Sequence, residues 1–114
     1  MTEHDPYKII DTVCEVYKTS YKALVKSSRK REYIYPRYAC YYFLRKHTGL
    51  ILVDIALLFG KNHATVVSGL KAYDDLMFFY GDIREKHDKI SELLNKQTMP
   101  YISYESLFRE YEKF

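Results

Sequence analysis

The hydrophobic positions between residues 52 and 70 form two series, separated by a short polar turn. The first series recurs at i, i+3, i+4 and i+7, which places its side chains on one face of a helix. Gly60 ends this predicted helix, and Lys61 and Asn62 form the turn. The members of the first series are Leu52, Ile55, Ala56 and Phe59, and those of the second are Val66, Leu70, Tyr73, Met77 and Tyr80. Two helices joined by so short a turn predict a helix-turn-helix.

The first turn of the second helix precedes its hydrophobic series and is therefore not needed for the core. This helix tip consists of Asn62, His63, Ala64 and Thr65. Asn can bond to N6 and N7 of adenine, His can donate to a phosphate or to guanine, and the methyl groups of Ala and Thr fit the methyl group of thymine. A helix N-terminus also attracts phosphate. The alternative is that Asn62 is only the N-cap and His63 an ordinary surface histidine.

The N-terminal half of the chain predicts three further helical segments. Asp5 is the expected N-cap of the first, with Pro6 at N1, and a short second helix follows. The residues predicted to be helical here are Ile9, Val13, Val16 and Tyr17 on the inner face of the first, and Lys22, Ala23, Leu24 and Val25 in the second. Residues 27–31 lack apolar periodicity and predict a basic loop.

A third segment is predicted to begin at Pro36 and to run to Thr48, before Gly49. The residues before a proline favour extended backbone, so residues 33–35 are predicted to be extended. The inner face of this helix is expected to contain Cys40, Phe43, Leu44 and a partly buried His47, while Arg37, Arg45, Lys46, Tyr38, Tyr41 and Tyr42 are expected on its other sides.

Beyond Tyr80, Gly81 is predicted to break the helix. Asp82 and Glu85 have the spacing of a capping box for a helix over residues 83–96. Its predicted inward residues are Ile83, Ile90 and Leu94, and those of a last helix in the tail are Tyr104, Leu107, Phe108 and Tyr111. The tail, residues 98–114, is expected to fold onto the domain; the alternative is that it binds a protein partner.

Composition predicts a cytoplasmic protein with no membrane span. The chain has 114 residues, of which 47% are hydrophobic and 29% charged, as in a globular domain. No apolar run approaches the length of a membrane helix, and the polar, acidic N-terminus does not resemble a secretory signal. Cys14 and Cys40 are isolated, which is typical of reduced thiols.

The net charge of +3 is distributed very unevenly along the chain. Residues 1–17 carry a net charge of −3, residues 18–46 carry +8, and the remainder carries −2. A run of charge is often only a solvated face, but an excess this one-sided, directly before the helix-turn-helix, favours a polyanionic partner.

Residues 29–80 resemble the C-terminal DNA-binding domain of the bacterial replication initiator DnaA. The resemblance rests on the spacing of Leu52, Asp54, Ile55 and Ala56, followed by Phe59, Gly60, Lys61, Asn62, His63, Ala64, Thr65 and Val66. It is extended by the basic loop, by Pro36 with Arg37, and by the later basic residue Arg45. The first helices look similar too.

This resemblance implies an all-α, Trp-repressor-like helix-turn-helix bundle over residues 1–97, here with an extra C-terminal helix in the tail. It implies binding to double-stranded DNA at DnaA-box-like sites, in replication initiation or transcription. Arg29 would enter the minor groove, and the helix tip, next to Lys61, would lie in the major groove. Arg31, Arg37 and Arg45 would contact the DNA backbone. Asn62 replaces the usual Asp of the family, and Ala64 replaces the usual Ser or Thr. We therefore expect the preferred DNA sequence to differ from the DnaA box that the family recognises.

Nothing in the sequence predicts a nucleotide, a cofactor, a metal or a catalytic site. The glycines at 49, 60, 69 and 81 do not form the phosphate-binding pattern of a P-loop, which favours a free-standing regulator or an element of a phage or mobile replicon. The histidines and cysteines lack metal-ligand spacing. The remaining alternative is a protein interaction module using a Tyr-rich surface and the tail, and the basic block favours DNA over it.

Overall fold

Helices make up all the regular structure in the part of the chain that the structure, a computed structural model, describes, namely residues 5–26 and 28–97. In these residues the helices are α1 (Pro6–Tyr17), α2 (Tyr21–Leu24), α3 (Arg31–His47), α4 (Leu52–Leu58), α5 (His63–Phe79) and α6 (Gly81–Gln97). The predicted all-α helix-turn-helix bundle is therefore confirmed. The predicted C-terminal helix and its packing lie outside the described residues.

The first two helices begin at side-chain caps. The Asp5 carboxylate accepts a hydrogen bond from the backbone N–H of Tyr7 at 2.9 Å, and Pro6 follows at the position where a missing N–H costs nothing. The Ser20 hydroxyl oxygen accepts a bond from the N–H of Ala23 at 3.2 Å and caps α2. The predicted cap and proline of α1 are confirmed, and so is the short α2, except that Val25 is its C-cap and not a helical residue.

Helix α3 begins at Arg31, well before Pro36, so the prediction of extended backbone over residues 33–35 is wrong. The Lys30 carbonyl accepts hydrogen bonds from the N–H groups of Tyr33 and Ile34, both at 2.9 Å, which starts the helix. Pro36 lies in the second turn and removes only the bond to the Glu32 carbonyl. Because Pro36 is buried, packing against the core compensates for that lost bond.

The core lies between α3 and the helices around it, and its members are mostly those expected from periodicity. Buried residues in the predicted inner faces are Ile9, Val13, Cys40, Phe43, Leu44, Ile55, Ala56, Phe59, Val66, Leu70, Tyr73, Met77, Ile83, Ile90 and Leu94. Tyr41 and Tyr42, which were expected on other sides of α3, are also buried. Helix α3 is therefore covered on more than one face.

The junction between α5 and α6 differs from the prediction. Tyr80 was expected to be inward but is 50% exposed, because α5 ends at Phe79 and Tyr80 is its extended C-cap. The predicted break between the two helices is confirmed, but it lies at Tyr80, and Gly81 is the first residue of α6. Asp82 therefore lies inside the first turn of α6 and is not its N-cap, so the predicted capping box is wrong.

His87 is a buried residue that sequence reasoning did not place in the core. Its ring lies 4.9 Å from that of Phe43 and 5.0 Å from that of Tyr42, centroid to centroid. Its Nδ1 atom lies 2.9 Å from the Tyr73 hydroxyl oxygen. Burial, together with the positive charges of Arg84 and Lys46, lowers the pKa of His87 to about 3. The core therefore contains a neutral histidine that joins α3, α5 and α6.

Candidate nucleic-acid interface

The helix-turn-helix consists of α4, a tight turn and α5. Gly60 has a φ of 66°, the left-handed region that glycine adopts without a steric penalty. The N–H of Gly60 donates to the Leu57 carbonyl at 3.2 Å, and that of Lys61 donates to the Ala56 carbonyl at 2.9 Å. These bonds use carbonyls at the end of α4. The turn predicted at Gly60, Lys61 and Asn62 is confirmed.

Asn62 is the N-cap of α5. Its side-chain oxygen Oδ1 accepts a hydrogen bond from the backbone N–H of Thr65 at 3.0 Å and a second from the Thr65 hydroxyl at 3.1 Å. The capping role that the sequence left open is thus present. It does not withdraw the side chain from solvent, since Asn62 is exposed.

The other residues of the helix tip also face outward. His63, Ala64 and Thr65 are exposed, and the first buried residue of α5 is Val66. The exposed face continues along α5 with Ser68 and Lys71, which the sequence analysis missed. Thr65, Ser68 and Lys71 recur every three residues, and this spacing in the sequence indicates a shared polar face of the helix.

Helix α5 approaches α3 closely at Gly69. A Cβ atom built on Gly69 would lie 2.8 Å from Cδ2 of Tyr41 and 2.9 Å from Cδ1 of Tyr38. Further along both helices, the rings of Tyr42 and Tyr73 lie 5.5 Å apart. These contacts hold the middle of α5 directly against α3, beyond the exposed helix tip.

Contacts between aromatic side chains attach the turn to α2 and α3. The Tyr21 hydroxyl of α2 donates a hydrogen bond to the Leu58 carbonyl at the end of α4. The Phe59 ring packs edge-on against Tyr21 and Tyr41, with centroid distances of 5.8 and 5.4 Å. Since Phe59 is fully buried, the turn is attached to the core at this point. The turn that precedes the helix tip is thereby fixed against α2 and α3.

Most of the predicted cationic residues are accessible at least in part. Arg29 and Arg31 are exposed, as is Lys30 between them. Lys61 in the turn is half-buried. Arg45 is also half-buried, and its Nη1 lies 3.5 Å from the Leu50 carbonyl oxygen. These side chains supply positive charge ahead of the helix-turn-helix in sequence and, at Lys61, within its turn.

Arg37 is the exception, because only 7% of its surface is exposed. Its Nη2 group donates to the Ser28 carbonyl at 2.6 Å and to the Lys26 carbonyl at 3.3 Å. The prediction that Arg37 projects from an outer side of α3 is therefore wrong. The reason is that α3 extends back to Arg31, so Arg37 is an interior residue of the helix facing the chain that leads into it.

The described residues offer little for other chemistry. Among them no group of three His, Cys, Asp or Glu side chains could hold a metal ion. A search of the same residues finds no helix with the length and apolarity that crossing a membrane requires. Cys14 and Cys40 are free and buried, and burial raises the pKa of both thiols. Neither thiol is therefore disposed to react as a thiolate.

Comparison with known proteins gives matches to one family. A family model described as the bacterial dnaA protein helix-turn-helix matches residues 6–72. Chromosomal replication initiator protein DnaA 1 of Chlamydia pneumoniae is 36% identical over 66 residues, which are 58% of this chain and 14% of that protein. DnaA 2 of Chlamydia caviae is 31% identical over 104 residues, 88% of this chain and 21% of that protein.

A third relative, the chromosomal replication initiator protein DnaA of Mycoplasma pneumoniae, is 28% identical over 90 residues, 79% of this chain and 19% of that protein. The chain thus spans about a fifth, or less, of the length of these relatives. The matched segment includes the basic loop, the turn and the helix tip.

Proposed function

The chain belongs to the family of bacterial DnaA helix-turn-helix domains, and from this we propose that it binds double-stranded DNA at sites resembling the DnaA box. The helix tip enters the major groove, whose base edges distinguish all four base pairs. The basic loop contacts the adjacent minor groove and the phosphates. Residues 1–97 form the DNA-binding unit.

One observation carries this proposal. The polar helix tip is exposed on a helix whose remaining length is anchored in the core, and the turn before it packs on α2, the helix that leads toward Arg29 and Arg31. A major groove about 12 Å wide admits one α-helix, so a tip of this kind can approach base edges. The exposed cations that follow α2 are available to contact the flanking strands.

The cations have different roles in this proposal. Arg29, exposed in the loop before α3, enters the minor groove, where an arginine is attracted by the enhanced negative potential of A·T-rich sequence. Arg31, Arg45 and Lys61 contact phosphates, which sets the register without selecting a sequence. Arg37 does not contact DNA directly; it positions the basic loop through its bonds to the Lys26 and Ser28 carbonyls.

The concentration of charge supports a DNA partner over the protein interaction alternative. A net charge of +8 over residues 18–46 would release condensed counterions from a duplex and so drive binding. The Tyr-rich surface that the alternative needs is partly core, since Tyr41, Tyr42 and Tyr73 are buried. Because the matched relatives are named chromosomal replication initiators, we place the activity in the control of replication initiation, with transcription as the second candidate process.

Selection of duplexes from a random pool by the full chain, at two salt concentrations, tests this function. We expect enrichment of one short asymmetric motif related to the DnaA box, and a log–log fall of affinity with salt whose slope reflects the number of phosphates contacted. Enrichment of no motif at either salt concentration would contradict the proposal and favour the protein interaction alternative.

A further inference from the structure

The side chain of Asn62 has one polar atom that is fully engaged within the protein. Its Oδ1 accepts from the backbone N–H of Thr65 at 3.0 Å and from the Thr65 hydroxyl at 3.1 Å. An amide oxygen has two lone pairs, and these two bonds use both. The orientation of the amide is fixed chemically, because a backbone N–H can donate only to the oxygen and not to the NH2 group.

The other polar group of Asn62, the Nδ2 amide, remains available to a ligand. No described residue accepts a hydrogen bond from it, and the side chain is exposed at the helix tip. An NH2 group supplies two donors and no acceptor. At this position the helix tip therefore offers hydrogen-bond donors alone to whatever lies in front of it.

In the major groove this distinction has a consequence for base selection. Guanine, thymine and adenine each present an acceptor in this groove (N7 and O6, O4, and N7, respectively), whereas cytosine presents only the N4 donor. We propose that Asn62 discriminates against cytosine at its position in the site and has no bidentate preference for adenine. This inference rests on the proposed DNA-binding function and specifies the chemistry of one position.

Adenine is the base usually paired with Asn, and the structure excludes that pairing for a physical reason. The bidentate contact needs the amide oxygen to accept from N6 while the NH2 group donates to N7. In this chain Oδ1 already caps α5, and releasing it would leave the Thr65 hydroxyl and N–H without their shared acceptor. The cap therefore determines which half of the amide meets the DNA.

Asn62→Asp is the sharpest test, because Asp is an equally good N-cap and has nearly the same shape. One carboxylate oxygen would keep the bonds to Thr65, and the other would present an acceptor where Asn62 presents a donor. Asn62→Ser is the matched control: its hydroxyl can cap the helix but is too short to present an equivalent donor. Thermal melting of both variants checks that the fold is retained.

Dissociation constants are measured on the selected duplex with all four bases placed in turn at each position. For the parent chain we expect one position at which cytosine binds about tenfold more weakly than the other three bases, with adenine no better than guanine or thymine. Asn62→Asp should reverse this order at that position alone, while lowering affinity for every duplex through its negative charge. Asn62→Ser should show no preference there.

Three results have distinct meanings. If the parent prefers adenine at the position that responds to Asn62→Asp, Oδ1 is released on binding and the inference is overturned, although the proposed function stands. If a motif is enriched but no position changes between the parent and the Asp variant, Asn62 does not select a base and the inference is again overturned. If no motif is enriched, the proposed function fails and the inference fails with it.

Discussion

Arg37 Nη2 donates a hydrogen bond of 2.6 Å to the Ser28 carbonyl oxygen, so a buried cation of α3 holds the segment that carries Arg29. A second bond, to the Lys26 carbonyl at 3.3 Å, attaches the residue at the end of α2. The most basic part of the chain is thus positioned from inside the domain. A residue that resembles a phosphate contact in the sequence instead connects α2, the basic loop and α3.

Arg37→Ala should therefore reduce stability as well as DNA affinity. Removing this buried charged donor and its bonds to two backbone carbonyls is expected to cost about 2 kcal/mol in the free energy of unfolding. Urea denaturation measures this loss, and titration of a duplex measures the affinity. Arg31→Ala is the control, because Arg31 is exposed and its loss should change stability by no more than about 0.5 kcal/mol. Equal stability of the two variants would contradict the buried role of Arg37.

Arg29→Ala should weaken DNA binding without affecting the fold. The expected loss is about 1–3 kcal/mol in binding free energy, with relaxed base preference on one side of the site, because a minor-groove arginine responds to local sequence. His63→Ala should instead reduce discrimination in the major groove. Fluorescence anisotropy on a panel of altered duplexes separates the two effects. Lys89→Ala, an exposed cation on α6, serves as the control and should bind like the parent chain. If Lys89→Ala were as damaging as Arg29→Ala, binding would reflect net charge alone.

Gly69→Ala should destabilise the protein, although alanine is a better helix former than glycine. Its added methyl group would come within 2.8 Å of the Tyr41 ring and 2.9 Å of the Tyr38 ring, both of which pack in the core. Overpacking of this kind costs about 1–3 kcal/mol, and denaturant melts measure it. Gly81→Ala is the matched control, since nothing lies within 4 Å of its Cβ position, and it should be neutral or slightly stabilising. A stable Gly69→Ala variant would mean that α3 and α5 can separate at little cost.

Stability should fall on acidification through His87. Burial holds its pKa at about 3 in the folded chain, below the ordinary value of 6.5, so the unfolded chain binds the proton more readily. The contribution is fully present above pH 6.5 and is lost as the pH falls from there toward 3. The free energy of unfolding should therefore drop by about 2 kcal/mol between pH 7 and pH 5 from this group.

Denaturant titrations of the parent chain and of His87→Phe at both pH values isolate this effect. Phenylalanine can keep the ring stacking on Phe43 but carries no titratable group. The variant should lack the additional loss on acidification, whatever its stability at neutral pH. Parallel pH dependences for the two proteins would show that His87 is accessible to protons in the folded chain.

The sequence by itself determined the helix-turn-helix and its polar tip. The apolar spacing of α4 and α5 is a local property, because helix geometry alone decides which residues share a face. Gly60, with its positive φ, and the capping residues act over a few positions in the same way. The basic loop and its exposure at Arg29 also followed from composition, since a segment without apolar periodicity cannot contribute a buried face.

The tertiary structure decided the relationships that join distant segments. Proline preferences placed the start of α3 at Pro36, whereas the helix begins at Arg31 and Arg37 is buried within it. The packing of α5 on α3 depends on the close approach at Gly69, which no local pattern specifies. The same holds for His87, whose neutral state arises from rings contributed by α3 and α5. Periodicity assigns residues to one face of a helix. The neighbours that this face contacts, and the charge that a residue on it can carry, depend on the packing of the whole chain.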